Sequence, residues 1–352
     1  MPAANGRETV PLISAVAESP DQCRGFHTRT ILRMLAKGEA AKSEIVASWD
    51  RCIKLHKLDP ERDRRQMVVT QGELRDAVGC IQPYLRSAER EIDGLARQMA
   101  KLGFFLSIAN TDGIAVTHRG SVPEIENKAK VQDGMCWKES AQGTNAIGTG
   151  LYAGRPTIVY QDEHFYESNT NMTCLAVPLF GPGGEVIGAL NTATIDPNVG
   201  RGLTSVLQWL LVSAAQRMEA LWFRQSYPGA LIVTMSEAGK GTGSNPLLAV
   251  DPDLNVLGAT NAARSHWRIT SEALAAGLHL DQVDPACSVG APSLWDAERA
   301  ALKRALALSG QNVSLAASHL GISRATMHRK MTAYSVSRQP QAASRRASGP
   351  QA

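Results

Sequence analysis

Five polar residues near the C-terminal end of the chain have the types and spacing needed to bind nucleic acid. They are Arg324, Thr326, His328, Arg329 and Lys330 in the segment RATMHRK. Cationic side chains bind phosphate, and an arginine guanidinium also matches the two acceptors on a guanine edge. Apolar residues recur between them at helical spacing, so the polar ones share the outward face of a helix. The pattern predicts a short cationic helix that contacts DNA.

The surrounding residues predict how this helix is held. A first helix is expected over about 313–320 and the cationic helix over about 324–334. Gly321 can adopt the left-handed conformation that ends the first helix. Ser323 can cap the second helix by accepting a backbone N–H bond. Two short helices joined in this way form a helix-turn-helix, in which the second helix enters the major groove.

Individual roles follow from the chemistry of each side chain. We expect Arg324 to contact a base edge. We expect Thr326 and His328 either to read bases or to position the helix on the DNA. Phosphate contacts are expected from a further set of polar residues: Asn312, Ser314, Ser323, Arg329 and Lys330.

The segment GQNVSLAASHLGISRATMHRKM resembles the DNA-binding domain of the factor-for-inversion-stimulation (Fis) type, which also ends many sigma-54-dependent activators. One departure is Gln311, which is inserted between Gly310 and Asn312. The resemblance implies that a helix upstream of the motif, predicted over about 294–309, forms a dimer contact. The simpler alternative is an amphipathic helical hairpin with solvated charges.

Charge is distributed unevenly along the chain. The net charge is +4, but from Trp295 to the end nine Lys or Arg residues face only Asp296 and Glu298, a net +7. The preceding residues therefore sum to −3. The excess of positive charge lies in the same segment as the predicted helix-turn-helix, as phosphate binding requires.

Composition limits the class of protein. The 352 residues are enough for two or three domains. No run approaches the roughly 18–20 apolar residues of a membrane span, and the N-terminus lacks the pattern of a signal peptide. Six scattered cysteines without a C-x-x-C pair argue against a zinc site or disulfide framework and fit a reducing cytoplasm. No metal and no cofactor is predicted.

The middle of the chain has the periodicity of an antiparallel sheet. LGFFLSIANTDGIAVTHRG predicts two strands about an Asp112-Gly113 turn, and CLAVPLFGPGGEVIGALNTATID predicts a second hairpin. A short helix is expected over about 144–152 and a long amphipathic helix over 203–223. These elements predict an α+β fold.

The segment WKESAQGTNAIGTGL, followed by EHF and TCLAVPLFGPGGEVIGAL, resembles the GAF sensor domain of the acetoin-catabolism-regulator family. The similarity extends over about residues 30–225, including the upstream helices. It implies a pocket for a small-molecule effector between the sheet and its covering loops. Candidate lining residues are Phe105, Trp137, Asn145, His164, Phe165 and Cys174. Each could equally belong to the core, and Asn145 and Thr144 could instead cap the helix that begins there.

The predicted architecture is α+β and multidomain. It comprises a flexible N-terminus (1–28), N-terminal helices (29–99), the GAF sensor (100–225), a short PAS-like module with a linker (226–292), the all-α helix-turn-helix (293–336) and a disordered basic tail (337–352). The N-terminal helices could pack on their own domain or bundle with a second copy.

Relatives with this sensor commonly carry a central ATPase, whose phosphate-binding loop requires G-x-x-x-x-G-K-[ST]. The chain lacks that motif, and GKGTGSN at 239–245 has the letters in the wrong order. His164, beside Glu163 and near Cys174, could form a Cys/His pair, but Cys174 falls on a predicted buried strand, where it packs as a small apolar side chain. We therefore expect no enzyme activity.

The sequence thus predicts a cytoplasmic, homodimeric transcription regulator that binds double-stranded DNA and senses a small molecule, without its own ATPase. One alternative is a non-catalytic partner or brake that forms mixed dimers with a related full-length sigma-54-dependent activator. Another is a repressor or activator that contacts RNA polymerase without sigma-54. An enzyme fused to a DNA-binding tail is a remote third. No membrane association is expected.

Overall fold

The structure is a computed structural model that describes residues 20–62, 66–120, 132–234, 246–283 and 294–336. The chain divides into two compact units, with the boundary between His279 and Leu280. No helix within the described ranges is long and apolar enough to cross a membrane. The predicted basic tail (337–352), the linker over 285–292 and the GKGTGSN segment lie outside the described residues.

Three helices open the first unit: α1 (Pro20–Ala36), α2 (Glu44–Lys54) and α3 (Gln71–Lys101). Ser43 caps α2 by accepting a bond from the Val46 N–H. Thr70 and Glu73 form a reciprocal capping box at the start of α3, which fixes where that helix begins. Helix α1 begins inside the segment 1–28 expected to be flexible, because His27 and Thr28 of that segment are buried against the rest of the domain. Residues 1–19 lie outside the described ranges.

A five-stranded antiparallel sheet forms the centre of the first unit. The remaining elements of this region are β1 (Phe105–Asn110), β2 (Ala115–Arg119), α4 (Glu139–Gln142), α5 (Ala146–Ala153), β3 (Thr157–Tyr160), β4 (Thr173–Phe180), β5 (Val186–Thr194) and α6 (Arg201–Ser226). The strand order is β2-β1-β5-β4-β3. The Asp112-Gly113 turn is confirmed, with Gly113 at a φ of 71°.

The sheet is covered on both faces, which explains why most residues of β1, β4 and β5 are buried. One face packs against α3 and α6 through residues such as Leu106, Leu190 and Leu211. The opposite face carries smaller side chains, among them Ala109 and Ala193, and packs against α5 and the loop before it. Small residues on this second face let the covering layer approach closely.

The N-terminal helices α1 and α2 pack on their own domain. Ile31 and Trp49 bury their side chains with Phe165 and Tyr166 from the loop between β3 and β4. The Trp49 indole N–H donates to the Glu163 carbonyl at 2.9 Å. This packing bears out the first of the two arrangements considered for these helices; bundling of further helices with a second copy stays a prediction.

A small three-stranded antiparallel sheet completes the first unit, in the order β6-β7-β8. Its elements are β6 (Leu231–Thr234), β7 (Leu247–Val250), β8 (Val256–Ala259), α7 (Asn261–Trp267) and α8 (Ser271–Ala275). The predicted strand–turn–strand is confirmed as β7 and β8. Strand β6 was not predicted, because the segment ALIVT lacks an alternating polar pattern.

The second unit is helical. It contains α9 (Leu280–Val283), α10 (Leu294–Leu308), α11 (Val313–His319) and α12 (Arg324–Ala333). Leu302, Ala316, Met327 and Met331 are buried in a core shared by α10, α11 and α12. Three short helices around one core match the predicted helix-turn-helix with its upstream helix.

Two glycines of α5 give a matched test of this packing. A Cβ at position 148 would lie 2.5 Å from the Trp137 carbonyl oxygen and 2.6 Å from the Glu139 nitrogen, whereas one at position 150 would meet Thr157 Oγ1 at 3.5 Å. Gly148→Ala is therefore expected to destabilise the protein by about 1–3 kcal/mol through overpacking. Gly150→Ala should be neutral or stabilise by up to about 1 kcal/mol, because alanine favours the helix. Chemical denaturation measures both, and equal effects of the two substitutions would contradict this account.

Candidate functional site

The turn between α11 and α12 has the predicted chemistry. Gly321 has a φ of 63°, in the left-handed region that ends a helix without steric cost. The Ser323 hydroxyl accepts the Thr326 N–H at 3.1 Å and so caps α12. Asn312 caps α11 by accepting the N–H groups of Ser314 and Leu315. These bonds fix the angle between the two helices and hence the direction in which α12 presents its side chains.

The outward face of α12 carries the cationic residues identified from the sequence. Arg324, His328 and Arg329 are exposed, whereas Met327 and Met331 are buried. Two charged guanidinium groups on one exposed helix face can contact phosphates and base edges together.

Ala325 was missed in the sequence analysis, which considered only polar side chains. It is exposed in the first turn of α12, next to Arg324. The N-terminal residues of a recognition helix reach base edges, and an alanine methyl can contact a thymine methyl. Its place in the first turn of a predicted recognition helix was the signal available.

Lys330 differs from the other cationic residues, because it pairs within the protein. Its Nζ lies 2.5 Å from Glu298 Oε2 of α10, and the Tyr334 hydroxyl donates to the same carboxylate oxygen. The lysine and tyrosine bonds lower the pKa of Glu298. The contact ties α12 to α10, so a part of the charge expected to face phosphate is engaged inside the domain.

Thr326, Ser314 and Asn312 occupy the start of their helices. The Thr326 hydroxyl is 2.9 Å from the Ser323 hydroxyl. The side-chain oxygen Oδ1 of Asn312 accepts the Ser314 N–H and so caps α11. Ser314 is exposed in the first turn of α11. Helix N-termini offer backbone N–H groups to anions, so these positions are compatible with the predicted phosphate contacts.

A small cavity lies on the sheet face covered by α5. Its volume is about 10 Å³, room for about one water molecule. The lining residues are Phe105, Ser107, Trp137, Asn145, Ala146, Ile147, Met172, Cys174, Asn191 and Ala193. Four of the six predicted ligand residues therefore come together here, while His164 and Phe165 do not line this cavity.

Asn145 has its side-chain amide engaged within the chain. Its Nδ2 donates to the carbonyls of Trp137 and Gly143 at 2.8 and 2.9 Å, and its Oδ1 accepts the Gly148 N–H at 2.9 Å. The contacts of Asn145 thus show the helix-capping role, which the sequence offered as the alternative to ligand binding. Thr144 does not cap the helix with its side chain but lies 2.7 Å from the Ser48 hydroxyl.

His164 and Phe165 pack against the N-terminal helices instead of lining the cavity. His27 Nε2 lies 3.0 Å from the His164 carbonyl oxygen, and the His164 ring Nδ1 lies 2.9 Å from the Gln161 carbonyl oxygen. Burial lowers the pKa of His164 to about 4. Burial also raises the pKa of the Cys174 thiol to about 12, so Cys174 is a neutral thiol near neutral pH. Neither group is prepared as an acid, base or nucleophile near pH 7.

Ser107 and Asn191 add polar groups to the cavity that the sequence analysis missed. They are register partners on β1 and β5, and Asn191 Nδ2 donates to the Ser107 hydroxyl at 3.1 Å. Asn191 Oδ1 is buried and has no hydrogen-bond partner among the described residues. The signal was present in the sequence, because both residues are polar positions within otherwise apolar strands.

A buried ion pair joins α2 to the start of α4. The Arg51 guanidinium makes a bidentate contact with Glu139, at 2.9 and 3.0 Å, and Glu139 is only 4% exposed. The Ser48 and Thr149 hydroxyls donate to the same carboxylate at 2.6 and 3.0 Å. The polar residues of WKESAQGTNAIGT therefore hold the N-terminal helices to the sheet.

Known protein families match both the N-terminal region and the C-terminal helix-turn-helix of the chain. Residues 293–334 match the description "Bacterial regulatory protein, Fis family", and residues 27–214 match "MimR, N-terminal domain". The class of protein is a DNA-binding regulator with an N-terminal sensor domain and a Fis-type helix-turn-helix. The second match, over residues 27–214, covers more than half of the residues of this chain. The chain therefore belongs to the MimR N-terminal domain family.

Three curated relatives show the extent of the similarity. The acetoin catabolism regulatory protein of Cupriavidus necator is 29% identical over 66% of this chain and 35% of its own length. AcoR, the acetoin dehydrogenase operon transcriptional activator of Bacillus subtilis, is 25% identical over 43% of this chain and 25% of its own. MimR, the propane 2-monooxygenase operon transcriptional activator of Mycolicibacterium smegmatis, is 22% identical over 47% and 28%. The chain thus spans about a third or less of the relatives it matches.

Proposed function

We propose that the protein regulates transcription as a homodimer that binds DNA through α12 and senses a small uncharged effector through its N-terminal domain. The observation that carries the proposal is that α12, the capped second helix of the helix-turn-helix, has exposed cationic side chains. In a dimer, each α12 would enter one major groove, with half-sites about 34–36 Å apart. The scattered cysteines favour a reducing cytoplasm as the site of action.

Sensing is proposed at the Ser107–Asn191 cavity. The unpartnered Asn191 Oδ1 is an acceptor for a hydroxyl or hydrated carbonyl group, and the walls are apolar. The relatives named as regulators of acetoin and propane metabolism support a small ketone, aldehyde or alcohol as effector. The cavity holds about one water molecule as it stands, so the effector would bind an expanded conformation and shift the protein toward it.

The proposed regulator acts without an ATPase of its own. Residues 215–292, between the two matched segments, contain no phosphate-binding motif of the G-x-x-x-x-G-K-[ST] type. The proposal includes no enzyme activity, which is supported by relatives named as transcriptional regulators. DNA occupancy is then the output of the chain.

Arg324→Ala tests base reading. A duplex selected by the wild-type protein from a random pool serves as the ligand, with scrambled duplexes as competitors. The variant is expected to lose about 1–3 kcal/mol of binding to the selected duplex and to relax sequence preference at one position. Fluorescence anisotropy measures the affinities. Equal weakening on selected and scrambled duplexes would assign Arg324 to phosphate and contradict base reading.

Arg329→Ala and Lys330→Ala form a matched pair for phosphate contact. Arg329 is exposed, whereas Lys330 is bonded to Glu298. Arg329→Ala should weaken binding to all duplexes and reduce the salt slope by about one unit. Lys330→Ala should change the slope less, because part of its charge is neutralised by Glu298. Affinity measured across a salt series gives both slopes; a larger change for Lys330→Ala would show that the lysine leaves Glu298 on binding DNA.

Asn191→Leu tests the sensory site. Short-chain alcohols, aldehydes and ketones are screened for a change in the affinity of the wild-type protein for its selected duplex. At least one compound is expected to change that affinity, and the change should be lost in Asn191→Leu, since leucine keeps the volume but removes the acceptor. Binding without compound should be unaffected. The proposal fails if no compound acts, or if the response persists in the variant.

A further inference from the structure

A second and larger pocket lies on the opposite side of the sheet from the Ser107–Asn191 cavity. Its volume is about 180 Å³. The lining residues are Gly154, Pro156, Val177, Pro178, Phe180, Val212, Ala215, Gln216, Glu219, Asn261 and Ala262. Most come from β4 and α6 of the sensor, and the last two come from α7 of the three-stranded module. We call it the junction pocket, because its walls belong to both parts of the first unit.

The module is fixed against the sensor beside this pocket. The Asn261 N–H donates to Glu219 Oε1 at 2.6 Å, and the Tyr227 hydroxyl donates to the Pro182 carbonyl at 3.3 Å. A Cβ at Gly184 would clash with Arg264, which places α7 directly over the β4–β5 turn. The pocket is therefore walled on both sides by elements that are held together by specific bonds.

Three polar residues, Gln216, Glu219 and Asn261, line the pocket among otherwise apolar residues. Gln216 Oε1 is buried and, within the described part of the chain, has no hydrogen-bond partner. Burial raises the pKa of Glu219 to about 7, against smaller opposing effects from the Asn261 N–H and Arg264. A buried acceptor without a partner is costly, so a guest that donates a hydrogen bond would be stabilised there.

The size and polarity of the pocket define its guest. A pocket of comparable volume, about 150 Å³, holds a benzene molecule. The low polarity that favours the neutral form of Glu219 also penalises a charged guest. A hydroxyl group can donate one hydrogen bond to Gln216 Oε1, which lacks a partner in the described chain, whereas Glu219 already accepts the Asn261 N–H.

We propose that the junction pocket is a binding site for a small uncharged hydroxyl compound, with an apolar body about the size of a six-membered ring. The guest contacts the sensor through α6 and β4 and the module through the start of α7, so binding stabilises their association. The site is separate from the Ser107–Asn191 cavity and does not depend on effector binding there.

Phenol and benzene are the probes, because they differ only in the hydroxyl group. Binding to the full chain is measured by isothermal titration and by the shift in unfolding temperature. Phenol is expected to bind about fivefold more tightly than benzene, the gain of one hydrogen bond. Gln216→Met should remove this preference while leaving benzene affinity unchanged, since methionine keeps the length but lacks the acceptor. Gln208→Met, on the same helix but outside the pocket, is the control and should change nothing.

Ala262→Phe fills the pocket from the module side and should abolish binding of both probes. Benzylammonium, which carries a charge, should bind more weakly than phenol. The proposal is overturned if phenol shows no preference over benzene, if the preference survives Gln216→Met, or if benzylammonium binds more tightly. Should Ala262→Phe fail to fold, the Gln216→Met comparison still decides. Phenol binding that is lost in Asn191→Leu but kept in Gln216→Met would place it in the other cavity.

Discussion

The buried carboxylate of Glu139 is the interaction on which the sensor domain depends. An ionised carboxylate that is only 4% exposed is costly unless it is fully paired. Here Arg51 contacts both of its oxygens, and Ser48 and Thr149 add hydroxyl donors. Removing either charge would leave the other buried without its partner, an effect larger than the net contribution of the pair. The positions of α2 and α4 are therefore determined together.

This dependence changes the meaning of the polar residues in WKESAQGTNAIGT. In the fold, Glu139 and Thr144 bond to side chains of α2, Thr149 bonds to Glu139, and Asn145 caps α5. The acceptors without partners among the described residues include Asn191 Oδ1 on one face of the sheet and Gln216 Oε1 on the other. Both lie on regular elements, a strand and a helix, not in the loop motif.

Local chemistry accounts for what the sequence predicted well. The capped start at Ser323, the left-handed Gly321 and the Asp112-Gly113 turn each follow from residues only a few positions apart. The contacts that sequence could not reveal join distant positions. His27 reaches the His164 carbonyl across 137 residues, and Lys330 reaches Glu298 on another helix. Periodicity tells which face of an element is buried but not which partner covers it, so pairings of this kind require the tertiary structure.

Helix α6 packs against both the five-stranded sheet and the three-stranded module. Its middle, at Leu211 and Met218, packs into the core beneath the five-stranded sheet, while Phe223 near its end packs with Leu247 and Ala249 of the three-stranded module. A guest on either face of the sheet that alters how α6 packs would therefore also alter how α6 packs against the module. Such a guest transmits a signal only if it binds two arrangements of α6 with different affinity, because equal affinity shifts no equilibrium. The module is thus an element that a change in α6 packing would reach, because Phe223 of α6 packs against it.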